Sequence, residues 1–442
     1  MNPILGSYMA SEQRYRVHQR QPSRQRSDNE LTGFHTHEPE PIPPPHSGSS
    51  SHRRRLTHAR MTRVPNMLEL LPVDLADPLA IMPDLEAAIS GECALLPVPA
   101  NDPTRAEKLR LSMRAGQSIA DDIAVVVATS GSTGTPKGAQ LTPVNLISSA
   151  DATHQALGGP GQWLLAMPAH HIAGLQVLVR SMVAGVEPEF MDLTDGFRTS
   201  DFVARTETLA TTGDRMYTSL APMQLNKIMS TLAGIEALRL FDAILVGGGR
   251  INPKMLDSAA KLRINVVTTY GSSETSGGCV YDGQPIAGAH VRVRDGRIHL
   301  GGPMIAHGYR NLPDHEAFAE PGWFITSDAG ELTDGILTVS GRLDNLIETG
   351  GLKLQPELLE EFMLSLDGVT GACVVGVPDD RFGHRVCAAY SGSAELGDLI
   401  EAFDDLPRWQ IPKDLRHFRM IPTTGPGKPD RRAVAAIFAG EV

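Results

Sequence analysis

The residues best suited to chemistry lie in one short segment, residues 129–138, which combines glycines, hydroxyl side chains and a lysine, Lys137. The segment follows an apolar run, residues 123–128, that predicts a buried strand. Glycines let the backbone approach a ligand closely, and a loop rich in N–H groups and hydroxyls can surround phosphates. The segment lacks the Gly-Lys-Ser/Thr ending of a Walker A loop, and a flexible Ser/Gly linker would not carry its Pro-Lys-Gly end. We therefore predict that residues 129–138 bind phosphate groups.

Five further segments combine glycine or proline turns with charged or titratable side chains. They are residues 168–174, 270–275, 322–330, 341–344 and 422–431. Because the chain has a net charge of −11, a site that handles phosphates must concentrate its cations locally. A reaction between two anions also needs preorganised positive potential, which gives weight to the arginines and the lysine in these segments.

In this order and spacing, the six segments resemble the core motifs of the adenylate-forming enzymes: acyl-CoA synthetases, peptide-synthetase adenylation domains and luciferases. The resemblance covers about residues 122–432. It implies that the carboxylate of an acid attacks the α-phosphate of ATP, that pyrophosphate leaves, and that a thiol then displaces AMP from the acyl-adenylate. The expected cofactors and co-substrates are therefore ATP, Mg²⁺ and coenzyme A, with a small carboxylic acid as the substrate.

The resemblance also implies a role for each matching side chain. Lys428 would reach the substrate carboxylate and the α-phosphate as the catalytic cation; the alternative is an exposed lysine on a turn. Glu274, together with Thr133, would bind Mg²⁺, because this ion prefers hard oxygen ligands. Asp328 would accept the ribose hydroxyls. The residues expected to bind the nucleotide are Thr129, Ser130, Gly131, Ser132, Thr133, Gly134, Lys137, Gly248, Gly249, Tyr270, Gly271, Asp328 and Arg342.

Within this superfamily the sequence is most similar to the o-succinylbenzoate–CoA ligases of menaquinone biosynthesis, in their short actinobacterial form. The similarity rests on the compact region before residue 129, on His171 and Arg180, and on residues 219–225. Such a substrate has two carboxylates, so the one that does not react needs a partner, and arginine can donate two parallel hydrogen bonds. The alternatives are a histidine of the core and an arginine of a helix surface. The residues expected to bind the acid are His171, Arg180, Gly247 and Thr275, and His171 is also a candidate catalytic residue.

Alternating strands and helices must position these segments. Apolar runs predict strands at residues 162–167, 238–246 and 264–270, and Asn252 followed by Pro253 predicts the start of a helix. The alternation predicts an α/β fold with a parallel sheet. Ligands of such sheets gather at the carboxyl ends of the strands, where the glycine-rich segments fall.

The sequence also predicts a division into domains. Residues 1–60 read as a disordered tail, because they cannot bury enough apolar surface to fold. Residues 61–343 would form a large N-terminal AMP-binding domain, in which residues 285–341 have the short strands and glycine turns of a β-rich subdomain. Residues 344–442 would form a small, mobile α+β domain. Asp344 matches the hinge about which this domain rotates in the family.

Composition argues against several other classes of function. The negative net charge disfavours binding to nucleic acid or to anionic membranes. No apolar run is long enough to span a bilayer, so we expect no membrane insertion. Cysteines that stay free thiols fit a reducing compartment, so we expect a cytoplasmic location. The four cysteines are scattered without a CxxC pair, which disfavours a zinc site or a disulfide framework. Because the region before residue 129 is short, we also expect a homodimer that compensates for it.

Three other functions remain open. The chain could be an acyl-CoA synthetase for another aromatic or fatty acid, or a stand-alone adenylation enzyme that loads a separate carrier protein. It could also be a nucleotide-binding protein without catalysis, although the presence of Lys428, Glu274 and Asp328 argues against this.

Overall fold

Strands and helices alternate along the part of the chain that this computed structural model describes, residues 66–129, 136–424 and 428–441. The predicted α/β fold class is confirmed by this alternation. The predicted tail, residues 1–60, lies outside the described residues. The same is true of five predicted ligand-binding residues, Ser130, Gly131, Ser132, Thr133 and Gly134.

The first sheet carries the ends of the predicted phosphate segment. Its strands, in spatial order, are β1 (Leu68–Val73), β2 (Ala94–Pro99), β3 (Val125–Thr129) and β4 (Lys137–Leu141). The first three are parallel, whereas β4 is antiparallel to β3 and pairs Lys137 with Thr129. The strand predicted at residues 123–128 is thus confirmed with shifted bounds. Lys137 begins a strand, where the sequence had placed it in a loop.

The second sheet is mostly parallel, as predicted. Its strands are β5 (Gln162–Leu165), β6 (Glu189–Phe190), β7 (Met216–Leu220), β8 (Ala243–Val246), β9 (Val266–Ser272), β10 (Gly277–Tyr281) and β11 (Gln284–Pro285). Their order is β11-β10-β9-β8-β7-β5-β6, with only β10 and β11 running antiparallel to their neighbours. The strand predicted at residues 238–246 is partly wrong. Leu238 and Phe241 are both buried at helical spacing, and Leu238 ends a helix.

Helices cover the first and the second sheet. Two of them, α1 (Met82–Ile89) and α2 (Pro103–Ser112), contact β2 of the first sheet. The second sheet carries α3 (Pro143–Ala156) and α4 (Ile172–Ala184) on one face, and α5 (Thr199–Ala210), α6 (Pro222–Met229), α7 (Leu232–Leu238) and α8 (Pro253–Lys261) on the other. Ile244 and Leu245 of β8 belong to different hydrophobic cores, because successive strand side chains point to opposite faces. Asn252 caps α8 by accepting a hydrogen bond from the Lys254 backbone, which confirms the predicted helix start.

An antiparallel sheet follows where short strands were predicted. Its strands, in spatial order, are β12 (His290–Arg294), β13 (Arg297–Gly301), β14 (Trp323–Thr333) and β15 (Ile336–Arg342). Asp328 and Arg342 are opposite each other on β14 and β15. The sheet therefore positions two of the predicted nucleotide residues side by side.

The last part of the chain is a smaller α+β region with its own hydrophobic cores. Its strands are β16 (Ile347–Thr349), β17 (Leu352–Leu354), β18 (Val369–Asp379), β19 (Gly383–Gly392), β20 (Asp414–His417), β21 (Thr423–Thr424) and β22 (Lys428–Pro429). Its helices are α9 (Pro356–Ser365), α10 (Leu396–Ala402) and α11 (Arg431–Ala439). β22 pairs with β21, and this short pairing carries Lys428.

Two findings concern the classes of function that composition argued against, membrane proteins and disulfide-bonded or zinc proteins. Among the described residues, no helix is both long and apolar enough to cross a membrane. The cysteines are unpaired, as predicted, and Cys279, Cys373 and Cys387 are buried. Burial raises the pKa of the Cys279 and Cys373 thiols to about 12, which disfavours a role as nucleophiles.

Candidate active site

The side chains of Tyr270 (β9), Asp328 (β14) and Arg342 (β15) meet. Arg342 Nη1 lies 3.5 Å from Asp328 Oδ1, and the Tyr270 hydroxyl donates a 2.7 Å hydrogen bond to Asp328 Oδ2. Burial raises the pKa of Asp328, whereas the Tyr270 hydrogen bond and the charges of Arg342 and Lys428 lower it. The structure thus brings together three residues that were predicted to bind the nucleotide.

Lys428 faces the same group from the C-terminal region. Its side chain keeps an exposed surface. Even so, neighbouring protein atoms desolvate its ammonium group, and this desolvation and Arg342 lower its pKa while Asp328 and Glu274 raise it. Lys428 therefore interacts electrostatically with both carboxylates that were predicted to bind ribose and Mg²⁺. A cation in this position can stabilise negative charge that develops on a bound phosphate.

A tyrosine that the sequence analysis missed holds the predicted metal ligand. Tyr309 donates a 2.6 Å hydrogen bond to Glu274 Oε1, and the two residues are only 3% and 7% exposed. Burial and the Glu274 carboxylate raise the pKa of Tyr309, so its hydroxyl stays a donor. The sequence offers one weak signal for this residue, Gly308 directly before it. Tyr309 orients the carboxylate and leaves its second oxygen for another ligand.

Gly247, Gly248 and Gly249 follow β8 and lie next to β9. A Cβ added to Gly247 would be 2.2 Å from Thr269 Oγ1, so the chain needs a glycine there for close packing. Gly248 has a φ of +76°, a conformation that favours glycine, and open space lies beside it. Space and backbone geometry at these positions are compatible with a ligand, and the contacts themselves stay predictions.

Gly271 and Thr275 support the turn that carries Glu274. A Cβ added to Gly271 would be 2.2 Å from the Gly277 carbonyl oxygen. Thr275 is completely buried, and its hydroxyl donates a 2.6 Å hydrogen bond to that same oxygen. The Thr275 hydroxyl is therefore engaged within the protein, and its predicted contact with the acid stays a prediction.

His171 stands at the N-terminus of α4, directly after His170. The two rings lie 4.3 Å apart between centroids. Burial, together with the neighbouring charge of Arg105, lowers the pKa of His171 to about 4. Burial and the same neighbourhood lower the pKa of His170 to about 3. Both imidazoles are therefore neutral at physiological pH, which suits His171 for hydrogen bonding or for accepting a proton.

The lowered pKa values predict how stability depends on pH. In the unfolded chain each imidazole has a pKa of about 6.5. Between about pH 6.5 and pH 4 the unfolded state therefore binds more protons than the folded state, and the free energy of unfolding falls as the pH falls. Replacing His170 and His171 by glutamine should flatten part of this fall in urea unfolding followed by circular dichroism. The same pH profile in the double variant would show that these rings are not the source.

Arg180 is buried on α4, and its guanidinium has no hydrogen-bond or salt-bridge partner among the described residues. It is 3% exposed, its guanidinium lies 4.9 Å from the centre of the Trp163 ring, and its Nε has no hydrogen-bond partner among the described residues. The described residues also provide no salt bridge to it. Three other buried polar atoms also lack a hydrogen-bond partner within the part of the chain that the structure describes, namely His154 Nε2, Trp163 Nε1 and Gln176 Oε1. Since buried charges in proteins are normally paired, this position indicates a site for an anion.

The linker around Asp344 joins the two regions of the chain. Arg342 donates two hydrogen bonds to the Asp344 carboxylate, at 2.8 Å and 2.6 Å. Further contacts connect α8 and the residues before it with α9, since Arg250 pairs with Glu361 and Asn252 donates to the Leu364 carbonyl. These contacts hold the C-terminal region in the position that brings Lys428 to Asp328.

The predicted hinge can be tested through its backbone. Asp344→Pro should slow thioester formation by at least about tenfold and slow adenylation far less, because proline restricts φ where the chain must rotate. Rapid-quench measurement of each half-reaction checks this, with Asp344→Asn as the control that keeps backbone freedom. Equal slowing of both half-reactions in the proline variant would contradict a hinge at this residue.

Comparison with known proteins defines the class to which this site belongs. Residues 65–310, more than half of the chain, match the family model described as AMP-binding enzyme. The chain therefore belongs to the AMP-binding enzyme family, as its motifs predicted.

Relatives of the chain include 2-succinylbenzoate–CoA ligases. A probable 2-succinylbenzoate–CoA ligase from Mycobacterium tuberculosis is 44% identical over 372 residues, which are 82% of this chain and 96% of the relative. A 2-succinylbenzoate–CoA ligase from Staphylococcus epidermidis is 28% identical over 341 residues, which are 71% of this chain and 70% of the relative.

Solved structures share the fold. An o-succinylbenzoate CoA synthetase from Bacillus subtilis, in complex with its acyl-adenylate intermediate, has a TM-score of 0.65 and 25% identity and covers 83% of this chain and 82% of that chain. ATP-bound MatB from Rhodopseudomonas palustris has a TM-score of 0.72 at 19% identity and covers 86% of this chain and 90% of that chain. The second likeness shows the fold alone.

Proposed function

We propose that this chain joins 2-succinylbenzoate to coenzyme A in two steps. The first forms an acyl-adenylate and pyrophosphate from ATP, and the second forms the thioester and releases AMP, as a step of menaquinone biosynthesis. The observation that carries this choice of acid is the buried guanidinium of Arg180, which has no hydrogen-bond or salt-bridge partner among the described residues. The 2-succinylbenzoate–CoA ligases among the relatives support the same substrate.

The first step needs cations near the α-phosphate, because both reactants are anions. Lys428 supplies one, and its approach to Asp328 and Glu274 supports the predicted role. Asp328 would accept hydrogen bonds from the ribose, while Tyr270 and Arg342 hold its carboxylate in place. The acid carboxylate would then attack phosphorus with both groups held at the ends of the same strands.

Mg²⁺ fits the residues that the structure describes. One oxygen of Glu274 accepts from Tyr309, and the other accepts no hydrogen bond from the described residues. Within these residues no group of three His, Cys, Asp or Glu side chains forms a metal site, which suits an ion that keeps most of its waters and takes ligands from phosphates. Mg²⁺ bound there would neutralise charge on the phosphates. Thr133, the second predicted ligand, lies outside the described residues.

The acid would contact both His171, at the start of α4, and Arg180. Its free carboxylate would pair with the guanidinium of Arg180, while the other carboxylate reacts. A buried guanidinium without a hydrogen-bond or salt-bridge partner among the described residues gains most from such a pair, since its desolvation occurs during folding and not during binding.

The second step would follow rotation of the C-terminal region about Asp344, which withdraws Lys428 and admits coenzyme A. The domain boundaries at residues 61–343 and 344–442 belong to this proposal. The cytoplasmic location and the homodimer stay predictions.

A pyrophosphate-release assay tests the proposal. 2-Succinylbenzoate, benzoate, a fatty acid and an amino acid are each supplied with ATP, Mg²⁺ and coenzyme A, and the thioester is identified by mass spectrometry. We expect 2-succinylbenzoate to give a kcat/KM at least about 100-fold above that of the monocarboxylic acids, from the loss of one buried charge pair. Preference for a fatty acid, or turnover only with a carrier protein, would favour the alternative functions.

A further inference from the structure

The side chains of Lys137 and His315 place two hydrogen-bond donors next to each other. Lys137 Nζ lies 2.9 Å from His315 Nε2, while His315 Nδ1 accepts a hydrogen bond from the Ala317 backbone N–H. A neutral imidazole carries one ring proton, so an accepting Nδ1 places that proton on Nε2. Burial and the charge of Lys137 lower the pKa of His315, which keeps the ring neutral. The Nε2–H group therefore faces an ammonium group that has only donors.

Neighbouring residues hold this pair of donors in place. The His315 ring packs edge-to-face on the Tyr309 ring at 5.0 Å, and Lys137 Nζ lies 5.1 Å from the centre of the same ring. Asn311 forms hydrogen bonds of 3.1 Å and 2.9 Å with the backbone on the two sides of Lys137. The segment that carries His315 is thus tied to the strand that carries Lys137, which distinguishes this contact from a chance meeting of two flexible side chains.

Space for a ligand lies beside the pair. A cavity of about 260 Å³ has Tyr309, His315 and Ser327 in its wall. Tyr309 also binds Glu274, and Ser327 precedes Asp328 in β14. The cavity thus reaches His315 of the pair and Tyr309, the tyrosine that holds the predicted metal ligand.

We propose that Lys137 and His315 together bind one oxygen of the β- or γ-phosphate of ATP, with His315 Nε2–H as the second donor. A phosphate oxygen accepts from both groups, which removes the conflict between two donors and gains a charge-assisted hydrogen bond. The same oxygen leaves with pyrophosphate. The assignment to ATP rests on the proposed function, since coenzyme A also carries phosphates that the same two donors would bind.

Binding measurements that need no acid substrate test this assignment. The Kd values of a non-hydrolysable ATP analogue and of AMP, each with Mg²⁺, are measured by calorimetry for the wild type and for His315→Phe, which keeps the aromatic packing without the donor. We expect the Kd of the ATP analogue to rise roughly 10-fold to 100-fold, the usual loss for a hydrogen bond to a charged group. The Kd of AMP should stay within about twofold, because AMP has no β- or γ-phosphate.

Two further variants complete the test. His315→Gln retains an N–H donor and should recover most of the affinity for the ATP analogue, and His290→Ala, an exposed histidine of β12, should change neither Kd. If the phenylalanine variant is unstable, His315→Ala gives the same comparison. Equal loss of affinity for AMP and for the ATP analogue, or no loss for either, would overturn the assignment.

The second half-reaction shows whether His315 instead binds a phosphate of coenzyme A. If His315 bound a phosphate of coenzyme A, the variant would raise the KM for coenzyme A with supplied acyl-adenylate and leave binding of the ATP analogue unchanged, which would also overturn the assignment. Because neither nucleotide measurement uses the acid, failure of this test and failure of 2-succinylbenzoate as a substrate are independent results.

Discussion

Lys428→Ala should lower the rate of acyl-adenylate formation by about 10²–10³-fold, by analogy with the removal of one preorganised donor from a charged transition state. The lysine lies close to Asp328, Glu274 and Arg342. Its charge is needed when the acid carboxylate approaches the α-phosphate, because both groups are negative. Thioester formation from supplied acyl-adenylate should stay within about threefold of the wild-type rate, since the acid is already activated in the acyl-adenylate.

Single-turnover kinetics separates these two effects. Pyrophosphate release measures the first half-reaction, and the thioester formed from supplied acyl-adenylate and coenzyme A measures the second. Lys413→Ala is the matched control, because the side chain of this lysine, in the same region, donates to the Arg408 carbonyl and to no other group of the described residues. Parallel loss of both half-reactions in Lys428→Ala would show that the lysine supports the fold of the site and not adenylation.

Arg180→Met should lower kcat/KM for 2-succinylbenzoate by roughly 30-fold to several thousand-fold, the range expected when one partner of a buried charge pair is removed. Methionine fills a similar volume without the charge. Because the guanidinium is buried without a partner in the described residues, the free energy of unfolding of the ligand-free variant should be equal to or higher than that of the wild type. A loss of activity without a loss of stability would mark Arg180 as a binding residue.

The control for Arg180 uses a second arginine that lies over an aromatic ring. Arg205, 5.7 Å from the centre of the Phe190 ring, is replaced by methionine and should leave kcat/KM unchanged. An analogue of the acid without its second carboxylate should react equally well with the wild type and Arg180→Met. If Arg180→Met instead lost activity to the same extent with both acids, the guanidinium would not be the partner of the free carboxylate.

Local patterns in the sequence predicted much of this architecture. The start of α8 at Pro253 was predictable because the cap is local. The Asn252 side chain accepts a hydrogen bond from the backbone N–H of Lys254, two residues along the chain. Asp328 and Arg342 were both assigned to the nucleotide site by their motifs, and their pairing across β14 and β15 agrees with that assignment. The alternating pattern of the second sheet gave its parallel character.

Contacts between distant segments were not predictable. Tyr309 and Glu274 are 35 residues apart, and Lys137 and His315 are 178 residues apart, so no periodicity links them. The isolation of Arg180 depends on burial against several elements, which the helix sequence alone does not reveal. A short apolar run such as residues 238–246 does not fix the start of a strand, and here α7 ends at Leu238 and β8 begins only at Ala243.

A crystal structure of the protein with a non-hydrolysable analogue of 2-succinylbenzoyl-adenylate tests the central claim most directly. We expect the Asp328 carboxylate to accept hydrogen bonds from both ribose hydroxyls, Lys428 Nζ to contact the group that replaces the α-phosphate, and Arg180 to pair with the free carboxylate. A nucleotide bound away from Asp328, or a free carboxylate bound in solvent while Arg180 remains without a partner, would contradict the account.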